Sequence, residues 1–155
     1  LGVAAHYTEI LPYNAGRARI FLRDSGSYGI GAAAGGLCVL AWALGAQPEA
    51  AAAPLAIYVA DTGAVVLRRL RAGEPIHHAH RTHVYQRLTD LGWSHQKVAL
   101  FVSTLTLACG LLGWVGTFGL ALRVMTDIVI IALAALYLMS PRLIAHAAQE
   151  RRESR

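Results

Sequence analysis

Uninterrupted apolar length, rather than alternation, dominates the chain. Four runs, 27–46, 50–67, 98–115 and 120–139, each supply roughly the 17 to 25 residues a helix needs to cross the hydrocarbon of a bilayer. Only "QPE" separates the first two runs and only "GTFG" the last two, so each pair predicts a tight helical hairpin. Between the hairpins lies a polar segment, 68–97, rich in histidine and arginine, and a basic tail occupies 140–155. The opening "LGVAAHYTEILPYN" reads as the tail of an earlier span, followed by a loop at "AGRARIFLRD". The pattern predicts an all-α, polytopic membrane bundle of about four transmembrane helices, with 1–155 forming a single membrane domain.

Composition supports the membrane reading. The chain is 55% hydrophobic and 15% charged, with a mean hydropathy of +0.45; soluble domains average about 25% charged residues. The net charge of +5 is explained by its distribution. Two tight hairpins put the residues before 27, the 68–97 segment and the tail after 139 on one side. Of the 14 basic residues, that side holds all but Arg123, while the opposite turns carry none. The positive-inside rule makes that side cytoplasmic, together with the C-terminus, so the basic excess reflects topology and calls for no nucleic acid. Cys38 and Cys109 both lie in apolar runs and read as buried thiols. With Leu rather than Met at position 1 and no basic n-region before the first run, a signal peptide is not expected, and the chain reads as the C-terminal part of something longer.

Three ionisable features stand out. Asp24, in "FLRDSGSYGIG", is either a helix N-cap or a carboxylate able to hold a hard divalent cation at the membrane surface. Asp61, in "IYVADTGAVVL", lies about 9 Å inside the end of its run at 1.5 Å per residue. A carboxylate at such depth costs roughly 2.5 to 3.5 kcal/mol unless it faces protein or water. It therefore lines a cavity or makes a helix-to-helix hydrogen bond shared with Thr62. The third feature is "EPIHHAHRTHVYQRL", with His77, His78, His80 and His83 inside seven residues. Zinc is disfavoured because no cysteine lies near and His77 and His78 would point apart. A solvated loop and an anion site remain, the latter because Arg81, His83 and Arg87, with Arg68, Arg69 and Arg71, offer donors suited to phosphate oxygens. In the first run, Ser27, Gly31 and Gly35 form a small-residue face for close helix packing. "GIGAAA" imitates a dinucleotide fingerprint but follows no strand.

Taken together, "ARIFLRDSGSYGIG" resembles the FLGDxGS-x-x-LG segment of the polyprenyl-phosphate N-acetylhexosamine-1-phosphate transferases. "ADTGAVVLRRLRAGEPIHHAHRTHVYQRLTDLGWSHQKV" resembles the span and histidine-containing cytoplasmic loop that follow it there. The likeness runs from about residue 11 to 114. It implies Asp24 as catalytic and metal-binding, with Mg2+ or Mn2+ as cofactor. It implies Arg81 and His83 as donors to the nucleotide-sugar or its phosphates, with His80, Arg87 and Asp61 as further substrate-binding candidates. The expected partners are a UDP-N-acetylhexosamine, undecaprenyl or decaprenyl phosphate, membrane lipid and, in assembly, a second copy as a homodimer. The expected reaction transfers a sugar 1-phosphate to the lipid phosphate and releases UMP, for cell-envelope glycan synthesis.

The chain also departs from the family pattern. Arg23 stands where the family has glycine, Ser25 follows Asp24 where a small apolar residue is usual, and Tyr85 and Gln86 replace later histidines of the loop. No adjacent Asp pair, the other acidic motif of the family, occurs in the 155 residues. The alternative these departures raise is an inactive truncated remnant; a histidine-rich metal transporter is weaker, since only Asp61 is well placed within the membrane.

Overall fold

The computed structural model describes residues 23–73 and 83–153, with side chains placed for 28–73, 83–147 and 149–150. All regular structure among them is helical: α1 (Arg23–Ala43), α2 (Pro48–Ala52), a 3-10 turn (Ala53–Leu55), α3 (Ala56–Ala72), α4 (Val84–Asp90), α5 (His95–Gly116) and α6 (Leu120–Glu153). The chain divides into two compact units, Leu1–Ala51 and Ala52–Arg155.

In the first unit, α1 ends at Ala43, three residues before the end of the run expected at 27–46. Its end is set by Gly45, whose φ of 93° is open to glycine at little cost. There Gly45 N–H donates to the Trp42 carbonyl and Ala46 N–H to that of Ala41, the paired bonds of a Schellman cap. The Cys38 thiol donates to the Ala51 carbonyl at 3.0 Å, a partner the apolar context of this cysteine did not disclose.

Three helices among the described residues are long and apolar enough to cross a membrane: Pro48–Ala72, His95–Gly116 and Leu120–Ala147. The first is interrupted by the 3-10 turn because Pro54 has no N–H for the helical ladder. Pro54 packs against α5 at Gly110, where an added Cβ would stand 3.4 Å from Pro54 Cγ. The α5–α6 turn is tighter. A Cβ on Gly116 would lie 2.8 Å from Thr126 Oγ1 and 3.3 Å from the Arg123 Cα, so only glycine fits this crossing.

The 68–97 segment is not a loop throughout. Helix α3 continues through Ala72 and ends at Gly73, whose φ is 67°. Helix α4 then forms because its pattern is amphipathic and both ends are capped. Val84 and Leu88, four apart, are 3% and 0% exposed. Gln86 Oε1 accepts from the His83 N–H at the start. At the finish Gly92 adopts a φ of 91°, Gly92 N–H donates to the Thr89 carbonyl and Trp93 N–H to that of Leu88. Val84 and Leu88 share one core with Ala53, Ile57 of α3, Val98 and Cys109 of α5, and Ile130 and Tyr137 of α6. Away from that core, Leu100, Leu107, Leu111, Ile131 and Leu136 are each more than half exposed, the apolar exterior a bilayer would cover.

Helix α6 runs 34 residues and passes through Pro141 without ending. Proline at 141 removes the N–H that would reach the Tyr137 carbonyl four residues back. Ser140 Oγ donates to that same carbonyl at 2.7 Å and replaces the missing bond. The basic tail is thus helical as far as Glu153.

Candidate functional site

The polar end of the second unit brings together residues far apart in sequence. Asp61, on α3, is 6% exposed, which the insertion cost of a carboxylate permits only with donors around it. It has three. Val84 N–H donates to Oδ1 at 3.0 Å, the Tyr137 hydroxyl donates to Oδ2 at 3.3 Å, and His83 Nδ1 lies 3.4 Å from Oδ2. Asp61 therefore makes helix-to-helix bonds, as one of its two sequence readings has it, but with α4 and α6 rather than through Thr62. It also lines a cavity of about 370 Å³, together with Tyr58, Thr62, His83, Thr106 and Tyr137.

Each contact follows from local structure. Val84 is the first residue of α4, and its N–H is one of the orphan donors every helix start must satisfy. His83 precedes it with extended ψ of 149°, which turns its ring away from the direction a helical residue would take. That ring stacks on Tyr85 at 5.6 Å between centroids and keeps 31% of its side chain exposed. With Nδ1 toward a carboxylate, the opposite nitrogen Nε2 faces away from it, so the imidazole is oriented by one partner and free to meet another.

Arg87, expected beside His83, is elsewhere. It lines a separate cleft of about 480 Å³ between α4 and the distal part of α6, with Asp90, Leu91, Pro141, Arg142, Ala145, His146 and Gln149. His83 is the N-cap of α4, so its four-residue spacing from Arg87 does not put the two side chains on one helical face. His80, Arg81 and the side chain of Asp24 lie outside the described residues, as do His77 and His78. Among the described residues no three His, Cys, Asp or Glu side chains gather closely enough to hold a metal ion. Sequence reading missed Tyr137, whose hydroxyl donates to Asp61, and the trio Arg142, His146 and Gln149. The spacing i, i+4, i+7 of that trio signals one face of a helix.

The chain is 32% identical over 133 residues to the decaprenyl-phosphate N-acetylglucosaminephosphotransferase of Mycolicibacterium smegmatis, an alignment covering 76% of the chain. Over that stretch the chain is similar to a polyprenyl-phosphate GlcNAc-1-phosphate transferase. It spans 30% of the length of that mycobacterial transferase. No protein-family model matches the chain, and no solved structure does. With three helices long and apolar enough to cross a membrane, and a shorter apolar helix, among its described residues, the chain is a multi-pass membrane protein.

Proposed function

We propose that the protein carrying this chain transfers an N-acetylhexosamine 1-phosphate from a UDP-sugar to a polyprenyl phosphate, releasing UMP, in cell-envelope glycan synthesis. The similarity to the mycobacterial phosphotransferase carries this reading. In the reaction, an oxygen of the lipid phosphate attacks the sugar-bearing phosphorus of the donor. The P–O–P bond breaks, and UMP leaves with the bridging oxygen. A dianionic lipid phosphate is already the nucleophile, so the protein's task is to position and neutralise charge rather than remove a proton.

His83 suits that task. When protonated, its imidazole donates from both nitrogens, Nδ1 to Asp61 and Nε2 to a phosphate oxygen of the donor. Asp61 is a positioning residue, since it holds the ring and the start of α4 together. Arg81 and His80 are proposed as further donors to the diphosphate. A divalent cation, Mg2+ or Mn2+, would neutralise the diphosphate when bound. Its ligands are not assembled among the described residues, and Asp24 is proposed as the one this chain contributes. The clustering of arginines at the polar end supports a cytoplasmic active face and C-terminus.

The test is UMP release from UDP-GlcNAc and polyprenyl phosphate by the full-length protein in membranes. His83→Gln should lower turnover roughly tenfold to a hundredfold, the equivalent of one charge-assisted hydrogen bond at about 1.5 to 3 kcal/mol. Asp24→Asn should abolish the divalent-cation-dependent rate. Unchanged turnover in both variants, or no UMP release by the wild-type protein, would overturn the proposal.

A further inference from the structure

We propose that the cleft between α4 and the distal part of α6 is a phosphate-binding site, distinct from the Asp61–His83 cavity and independent of the transfer reaction proposed above. The cleft is built from two helical faces. Arg142, His146 and Gln149 recur at i, i+4 and i+7 on α6, and Arg87 and Asp90 at i and i+3 on α4, whose C-cap is Leu91, so each helical set shares a face. Together they present two guanidinium groups, an imidazole and a primary amide around a space of about 480 Å³.

The polar groups match a phosphate. Guanidinium groups bind phosphate oxygens through paired N–H donors, and imidazole and amide groups add single donors. Among the described residues, Arg87, Arg142 and His146 make no ion pair with a carboxylate. The single carboxylate of the lining, Asp90, has an interaction of its own. The floor is apolar, made by Leu91, buried Pro141 and Ala145.

Depth decides which phosphates can reach it. Arg142 and His146 fall within the membrane-capable part of α6, Leu120–Ala147, and close to its end. Leu143 beside them is half exposed. A cationic cleft with an apolar floor at the end of a span sits where phospholipid phosphates lie, and basic pockets between spans are a recurrent form of lipid head-group recognition. A soluble phosphate has the same chemistry and could enter from the aqueous side.

The experiment uses the full-length protein in detergent, with bound lipid counted by native mass spectrometry after exposure to phosphatidylcholine vesicles with or without phosphatidylglycerol. A parallel titration uses inorganic phosphate. Arg87→Gln and Arg142→Gln should each weaken phosphatidylglycerol retention on the order of tenfold. Lys97→Gln, at the start of α5 and outside the cleft, should leave it unchanged, and Arg142→Lys should retain part of it. Elution and thermal unfolding like wild type establish that the variants are folded. Phosphatidylglycerol retention with this residue dependence identifies a lipid phosphate, and inorganic phosphate binding with the same dependence and no lipid preference identifies a soluble one. Equal loss in Lys97→Gln, or no loss in either cleft arginine variant, would refute the site.

Discussion

Replacing Asp61 with alanine tests the arrangement most directly, because one carboxylate holds three elements together. The substitution strands the Val84 N–H and the Tyr137 hydroxyl, which belong to residues only 3% and 2% exposed. Each buried donor left without a partner costs about 1 to 3 kcal/mol, so the two together cost about 2 to 6 kcal/mol. His83 adds nothing to that sum, since its side chain is 31% exposed and can turn to water. The loss falls on the docking of α4, whose first N–H is among the stranded groups. Hydrogen–deuterium exchange of the amides in 84–91, measured in detergent or nanodiscs, should accelerate at least about 30-fold, the equivalent of 2 kcal/mol. Asp61→Asn keeps one acceptor and should give an intermediate effect, about tenfold. Tyr137→Phe removes a single hydroxyl and should cost about 0.5 to 1.5 kcal/mol. If exchange in 84–91 stayed within threefold of wild type in Asp61→Ala, the carboxylate would not be what anchors α4.

Gly116→Ala should lower the unfolding temperature, since its Cβ meets the Arg123 backbone at 3.3 Å and Thr126 Oγ1 at 2.8 Å. Forcing extra volume into such a contact costs about 1 to 3 kcal/mol. Adding Thr126→Ala should recover part of the loss but not all, and Gly110→Ala, whose contact with Pro54 is ordinary at 3.4 Å, should be nearly silent. At Gly92, with φ of 91°, alanine should cost about 1 to 2 kcal/mol. That loss should appear as faster exchange in α4 with little change in α5.

The spans were legible because apolar length is a strong signal that needs no tertiary information. Helix α4 was not, although its signs were present: apolar Val84, Leu88 and Leu91, a Gln three residues after His83, and glycine at 92. Its seven residues sit in a segment whose arginines and histidines drew attention to charge and away from periodicity. Asp61 was legible as a costly carboxylate, but not its partners, since Tyr137 lies 76 residues away and no local rule links them. Arg81, His83 and Arg87 were grouped by closeness in sequence, and the change of backbone at the His83 N-cap separates Arg87 from His83. Arg142 enters the sequence reading only as a topology charge and His146 not at all, so their shared face stays hidden there. The placement of Asp24, His80 and Arg81 falls outside the described residues.

The bond between Tyr137 and Asp61 also orders events during synthesis. Helix α3 enters the bilayer well before α6 has been made, with Asp61 still lacking the Tyr137 hydroxyl. A lone carboxylate there carries an insertion penalty of roughly 2.5 to 3.5 kcal/mol. Until the last helix arrives, the first two spans of the second unit hold Asp61 with the α4 contacts from Val84 and His83 alone, without the Tyr137 hydroxyl. A chain cut short before Tyr137 would leave a polar blemish inside the membrane, a mark that quality-control proteases can read. His83, the proposed phosphate donor, and the completeness of the bundle are in this way tied to the same carboxylate.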